Sequence, residues 1–313
     1  MPGCYAKAIK PQFEIHRGER LTHAGQVVRS ALISGPGIAW VTVFLLLPLV
    51  AIGFISFLSK GVYGGFEPPA TLYSFKRFAG FGLLGFDILY PIIILRSLVL
   101  GAATALLCAA IAFPLVFFIA SLPGRWKNLA LTLVVIPLWT NLMIRTYAWQ
   151  LLLGPQSWLS SGAAALGFVP EGDGIYPSTF AVYVGMVCDF LPFLALPLYA
   201  SVEKLDWSLV EAAHDLGANA VNTFRHAILP QVMPGLAAGF ILVFIPAAGQ
   251  FVIPDLLGGG KTVLLGSLIQ QQFLQSRDWP FGSAIAFISM GLSMLGIWWY
   301  ARMTAKSGQE ALL

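Results

Sequence analysis

What most restricts this chain is a succession of apolar runs of about twenty residues or more, separated by short segments that carry most of its charge. A helix needs about 20 apolar residues to cross the hydrocarbon core of a bilayer. Such runs are read at about 37–58, 92–121, 129–152, 179–202, 235–254 and 281–303. The composition fits no ordinary soluble domain, with 58% hydrophobic and 10% charged residues and a mean hydropathy of +0.79. The expected fold class is an all-α membrane protein with about six transmembrane helices. Residues 1–36 form an N-terminal tail, 37–303 a single transmembrane domain, and 304–313 a C-terminal tail.

Charge orients the spans. Lys7, Lys10, Arg17, Arg20 and Arg29 precede the first run, and Arg125, Lys127, Lys204, Arg225, Arg302 and Lys306 fall in the alternate polar segments. The intervening short loops hold only Lys60, Lys76, Arg77, Lys261 and Arg277. By the positive-inside tendency, both termini and the segment 203–234 are cytoplasmic, while 59–90, 154–178 and 255–280 are external. The first residues lack the short apolar region and small-residue cleavage site of a signal peptide. The net charge of +4 is spread through these loops and is no nucleic-acid signature. Cys4, Cys108 and Cys188 are far apart and odd in number, which suits small hydrophobes rather than a metal site or a disulfide framework.

One polar island interrupts the apolar sequence, running from Ser208 to Pro234. Ser208 and Glu211 stand three apart, as in a capping box, which predicts a helix from about Leu209. Leu209, Ala212, Ala213 and Leu216 would then form one narrow apolar face, and Gly217 supplies the left-handed residue that stops a helix. Asn219 or Asn222 can cap a second helix, striped by Phe224, Ile228 and Val232 around an interior Pro230. The expectation is a helix, a glycine turn and a second helix facing water.

Those residues carry a resemblance. Glu211, Ala212 and Ala213, then Gly217, Phe224, Leu229 and Pro230, are similar in type and spacing to the EAA loop of ABC-importer permeases. Ala227 departs from the Ile or Val usual there. The resemblance implies a type I importer permease fold in which this loop is the coupling helix of an ATPase subunit. It also implies two ATPase subunits that bind ATP and Mg, a second permease of similar fold and an external solute-binding protein, with no cofactor in this chain. More widely, Arg145–Trp149, Leu191–Phe193 with Pro197, Phe244–Pro246, Phe251–Gly259 and Arg277–Pro280 resemble the spermidine/putrescine-type branch. Two positions depart from relatives: Gln250 stands where a glutamate is common, and Asp189 where an uncharged residue is common.

Within the spans the candidate solute path is read from residues that are costly in lipid. Asp189 and Asp255 would supply negative charge, and Trp139, Tyr147, Trp149 and Phe193 aromatic faces for an ammonium group, with Arg145 and Gln250 nearby. Discontinuities at Pro192, Pro197, Pro246 and Pro254 would line the path. Other readings stay open: Asp189 and Arg145 can be a structural ion pair, Trp139, Tyr147 and Trp149 an interface belt, and Arg96 a snorkelling side chain. Asn141 and Gln150 should face protein or a wet cavity. Gly258–Thr262 looks like a phosphate loop, but Asp255 stands where that loop needs glycine, so no self-energising site is read. His16, His23, His214 and His226 have no ligand-spaced companions, and enzymatic activity is unsupported. The reading is an inner-membrane permease importing a small cationic solute. The alternatives are an ATPase-independent channel or ion-coupled carrier using Asp189 and Arg145, a permease for another small organic solute, or a non-transporting scaffold.

Overall fold

In a computed structural model the described residues are 23–310 without 83–84, 87, 171 and 261–262; side chains are described from Gly35 onward, except at 82–87, 299–301 and 303–310. Most of the N-terminal tail, Glu171, Lys261 and Thr262, and the last three residues lie outside that description. Two compact units are distinguished, 1–51 and 52–313. The described residues of the first are helical and belong to α1 (His23–Ile55), which continues into the start of the second; its stretch Gly35–Ile55 is long and apolar enough to cross a membrane.

The second unit opens with small elements. β1 (Ser59–Lys60) pairs antiparallel with β2 (Phe66–Glu67), α2 (Tyr73–Phe78) follows, and β3 (Phe81–Gly82) pairs with β4 (Gly85–Phe86). Arg77 anchors α2 by donating to Tyr90 Oη at 3.2 Å and to the buried Asp278 Oδ2 at 3.0 Å. Its guanidinium also lies 4.1 Å from the centre of the Phe281 ring. Asp278 in turn accepts from the Phe281 backbone at 3.2 Å and so caps the last helix.

The long elements follow in order: α3 (Leu89–Ser121), α4 (Gly124–Val135), a 3₁₀ turn (Ile136–Trp139), α5 (Leu142–Leu152), α6 (Trp158–Ala165) and α7 (Thr179–Val202). After them come α8 (Trp207–Asp215), α9 (Ala220–Thr223), a π turn (Phe224–Ile228), α10 (Leu229–Gly249), α11 (Val252–Gly258), α12 (Leu265–Leu274) and α13 (Trp279–Glu310). Among the described residues five helices are long and apolar enough to span, or six if the bent pair α4–α5 makes one crossing. The all-α architecture with about six spans is therefore what the chain adopts.

The core lies where α3, α7 and α10 pack on one another. α3 presents Ala105, Cys108 and Ala112, all fully buried, at helical spacing. Small residues let helices approach where lipid supplies no hydrophobic drive between them. α7 fills the centre with Met186, Leu194 and Leu198, and α10 adds Val232, Val243 and Ala247. At Gly235 the approach is closest, because an added Cβ would lie 2.5 Å from the Pro197 carbonyl oxygen of α7.

Several sequence expectations change here. The third run is not one straight span: Pro137 starts a 3₁₀ turn and the axis bends by 98° before α5. Asn141 does not face a cavity but caps α5, its Oδ1 accepting from Met143 N at 2.8 Å. Gln150 does face protein, donating to Tyr176 Oη at 2.6 Å. After Gly154 the chain forms α6, eight residues long and too short to span. The expected discontinuities are also displaced. α7 and α10 run unbroken through Pro192, Pro197 and Pro246, since a proline within a helix removes one hydrogen bond without needing to break it. Pro254 sits in the first turn of α11, where a missing N–H costs little. The break falls at Gln250 and Phe251, between α10 and α11.

Candidate functional site

The polar island is built from its two ends. α8 starts two residues before the expected Leu209, and its cap is Asp206 rather than the Ser208–Glu211 box: Asp206 Oδ1 accepts from Ser208 N at 2.9 Å. Aspartate is as good an N-cap as serine, and Asp206 is placed to catch the earlier free N–H. The Ser208 side chain and then its backbone N–H hold the exposed Asp206 carboxyl below the ordinary carboxylate range. At the other end Gly217 takes φ +78°, Gly217 N donates to His214 O at 2.9 Å, and Ala218 N donates to Ala213 O at 3.0 Å. That pair of bonds is the Schellman stop, and it needs the left-handed residue that glycine supplies.

The second half of the island differs from the expected separate helix. Asn219, not Asn222, is the cap, accepting from Asn222 N at 2.9 Å. The chain then winds through α9 and the π turn directly into α10, so the expected second helix and the fifth span form one element from Ala220 to Gly249. Pro230 lies in its first α-turn after the π turn, where its absent N–H is absorbed by the wider winding. The stripe points inward toward its C-terminal end: Val232 is fully buried and Ile228 half-buried on the core, while Phe224 stays exposed and meets the ring of Phe113 edge-on at 5.4 Å.

The face of α8 turns out opposite to a buried one. Leu209, Ala212 and Leu216 are exposed, Leu216 at 89% of its surface, as are Glu211 and Gly217. Val210 is half-buried against the core, and Ala213 is half-buried. Leu229 packs on the core while Pro230 is exposed. A clamp that the sequence reading missed fixes the tilt of α8: Gln231 accepts from Asp206 N at 2.9 Å and donates to Ala227 O at 2.8 Å. A second missed contact ties the first turn of α4 to this region, with Lys127 Nζ 3.8 Å from Glu203 Oε1 and Tyr199 Oη donating to the same oxygen at 2.9 Å. The pairs Asp206–Gln231 and Lys127–Glu203 are far apart in sequence and leave no signal in spacing.

The proposed path residues are only partly gathered. Arg145 on α5 forms an ion pair with Asp189 on α7 and also donates to the Pro137 carbonyl. Asp189 is 8% exposed. Trp149 packs on the core, and Phe193 is exposed with its ring 6.2 Å from that of Phe190. Trp139, 79% exposed, and Tyr147 stand outside the pair. Gln250 is engaged by backbone, its Oε1 accepting from Phe251 N at 3.0 Å, and so begins α11. Asp255 is exposed in the first turn of that helix. Two cavities lie elsewhere. One of about 590 Å³ is apolar, between α3, α10 and α13; the other, about 600 Å³, is lined by Arg96, Ser178, Tyr183 and Pro254. Neither is lined by Asp189 or Arg145.

The described residues thus form a bundle of long apolar helices that exposes one short, sharply terminated helix at the joint between two spans. The chain belongs to the family of binding-protein-dependent transport system inner membrane components, whose model matches residues 109–307. It is similar to the spermidine/putrescine transport system permease protein PotB of Escherichia coli, 38% identical over 86% of this chain and 96% of that protein. The PotB of Haemophilus influenzae is 38% identical over 82% of this chain and 86% of that one. The Escherichia coli inner membrane ABC transporter permease protein YdcU is 30% identical over 68% and 72%. Among solved structures, a bacterial ABC transporter involved in import of the acidic polysaccharide alginate superposes with a TM-score of 0.66 at 14% identity, covering 90% of this chain and 97% of that chain. That likeness concerns the fold. The chain is thus an inner-membrane permease subunit of an ABC importer.

Proposed function

We propose that this permease passes a polyamine-like organic cation inward, and that two ATPase subunits, binding ATP and Mg, drive it through α8. The observation that carries the solute class is the 38% identity to a spermidine/putrescine permease over nearly the whole of both chains. The acidic groups Asp189 and Asp255 and the aromatic Trp139, Tyr147, Trp149 and Phe193 fit a cation path running beside Arg145 and Gln250. Glu211, Ala212, Ala213 and Gly217 present the ATPase contact, while Phe224, Leu229 and Pro230 seat the helix that carries it. The exposed apolar face of α8 supports this, since such a face on a short, well-capped helix suits a protein partner. A second permease and an external solute-binding protein complete the transporter, and this chain does no catalysis of its own. Both termini and α8 lie in the cytoplasm.

Co-expression with the neighbouring ATPase, second permease and binding protein tests the reading. Radiolabelled spermidine or putrescine should enter only when the ATPase is intact. Uptake confined to anionic solutes overturns the cation assignment, and failure of the ATPase to copurify overturns the coupling assignment. An Asn219→Cys variant should resist an impermeant thiol reagent in intact cells and react after lysis.

A further inference from the structure

Arg145 is held from two directions. One guanidinium nitrogen pairs with Asp189 in the middle of α7, and another donates to the carbonyl of Pro137, on the far side of the 98° bend from α5. A single side chain therefore joins the segment before the bend, the helix after it and the central span. Asp189 lies ten residues inside α7, about 15 Å along its axis, near the middle of a hydrocarbon core about 30 Å thick. At that depth neither charge is stable alone. Truncating one partner of such a pair leaves a buried charge uncompensated, so Asp189 releases Arg145 readily only to another cation.

From this geometry we infer that the Arg145–Asp189 pair is a latch on the elbow 136–141, opened when the cationic solute takes Asp189 from Arg145. The inference rests on the cation reading above and adds how that solute is sensed. With Asp189 shared by an ammonium group, Arg145 keeps the Pro137 carbonyl and a weakened pairing with Asp189, and the tie of the elbow to α7 loosens. A neutral or anionic solute offers Asp189 no replacement charge, so the latch selects for cations. Trp139, exposed at the end of the 3₁₀ turn, moves with the elbow.

The test uses the complete transporter in proteoliposomes, with Cys4, Cys108 and Cys188 changed to alanine and a nitroxide attached at Trp139→Cys. Without solute the probe should be immobile in this background. It should loosen in Asp189→Asn and Arg145→Gln, with solute-free ATP hydrolysis rising at least threefold. The double variant Arg145→Asp with Asp189→Arg should restore the low hydrolysis rate through the reversed ion pair but only an intermediate spectrum, because a carboxylate at 145 cannot donate to the Pro137 carbonyl. Arg145→Lys, which keeps the charge but cannot reach both acceptors together, should give an intermediate spectrum and serves if the glutamine variant fails to assemble. Spermidine on a saturated binding protein should loosen the probe in the unsubstituted pair, and a neutral polyol should not. If that pair responds to spermidine but the single variants keep its immobile spectrum and hydrolysis rate, the latch is wrong while the cation reading stands. If the variants loosen the elbow but spermidine causes neither uptake nor loosening, the cation reading fails and the solute-opened latch with it.

Discussion

Two helices separated by only four residues, α7 and α8, meet opposite requirements. α7 is long, crosses the middle of the core and buries Met186, Asp189, Leu194 and Leu198; α8 is nine residues long and buries none of its own. α7 tolerates Pro192 and Pro197 inside it because neighbours on two sides hold its shape. α8 has no such neighbours, so its ends define it: the Asp206 cap, the Gly217 stop and the Gln231 clamp. A span is specified by what packs on it, whereas a helix kept free for another protein must be specified locally. A helix of this length is marginal in isolation, which makes each end contact count.

The contrast can be broken first on the packed side. Gly235→Leu would place a Cβ 2.1 Å from Ser201 Oγ, forcing α10 away from α7. Overpacking of this kind costs roughly 1–3 kcal/mol and sometimes more, and is expected at the top of that range here. The melting temperature of the detergent-purified subunit should fall by several degrees, with a loss of assembled transporter. The nearly as large change Ala212→Leu on α8 should leave melting within about 0.5 kcal/mol of wild type while weakening copurification of the ATPase. Equal destabilisation by both would erase the distinction between the two helices.

On the free side, Gly217→Val puts a β-branched residue at φ +78°, where nothing crowds the added Cβ and backbone strain alone acts. That strain is about 1–2 kcal/mol. Solute uptake should drop severalfold at unchanged membrane insertion, and retention of full uptake would show that α8 does not depend on its stop. A milder change is expected from Glu211→Gln, which removes an exposed charge from the docking face without touching either end. ATPase association should weaken about twofold to fivefold in low salt and recover toward wild type in high salt, because surface charge is screened there.

The smallest effect belongs to the cap. The folded Asp206 carboxyl is held below its ordinary range, so its contribution is present above the unfolded value, about 3.9, and is lost as pH falls through the lowered one. Amide exchange in α8, corrected for intrinsic rates, should therefore accelerate in that acid window. Asp206→Ala should show faster exchange at neutral pH and no further acid-dependent loss; an unchanged acid profile would remove Asp206 as the cap.

The sequence alone determined the features that depend on local chemistry. Apolar run length set the number of spans and gave the fourth run, 179–202, its observed ends. Glycine's access to positive φ marked the stop at Gly217, and the residue types at Glu211, Ala212, Ala213 and Phe224 marked the family. Tertiary structure decided the rest, because it depends on residues distant in the chain or on competition between equivalent local signals. Asp206 and Ser208 are both good caps, and the path of the chain out of α7 selected the aspartate. Asn141 reads as a costly polar group inside an apolar run until the bend after Pro137 makes it a helix start. Hydropathy shows that an apolar stripe exists on α8 but not which side it faces. That was settled by Gln231 and Val210, which hold the helix so that Leu209, Ala212 and Leu216 point away from the bundle.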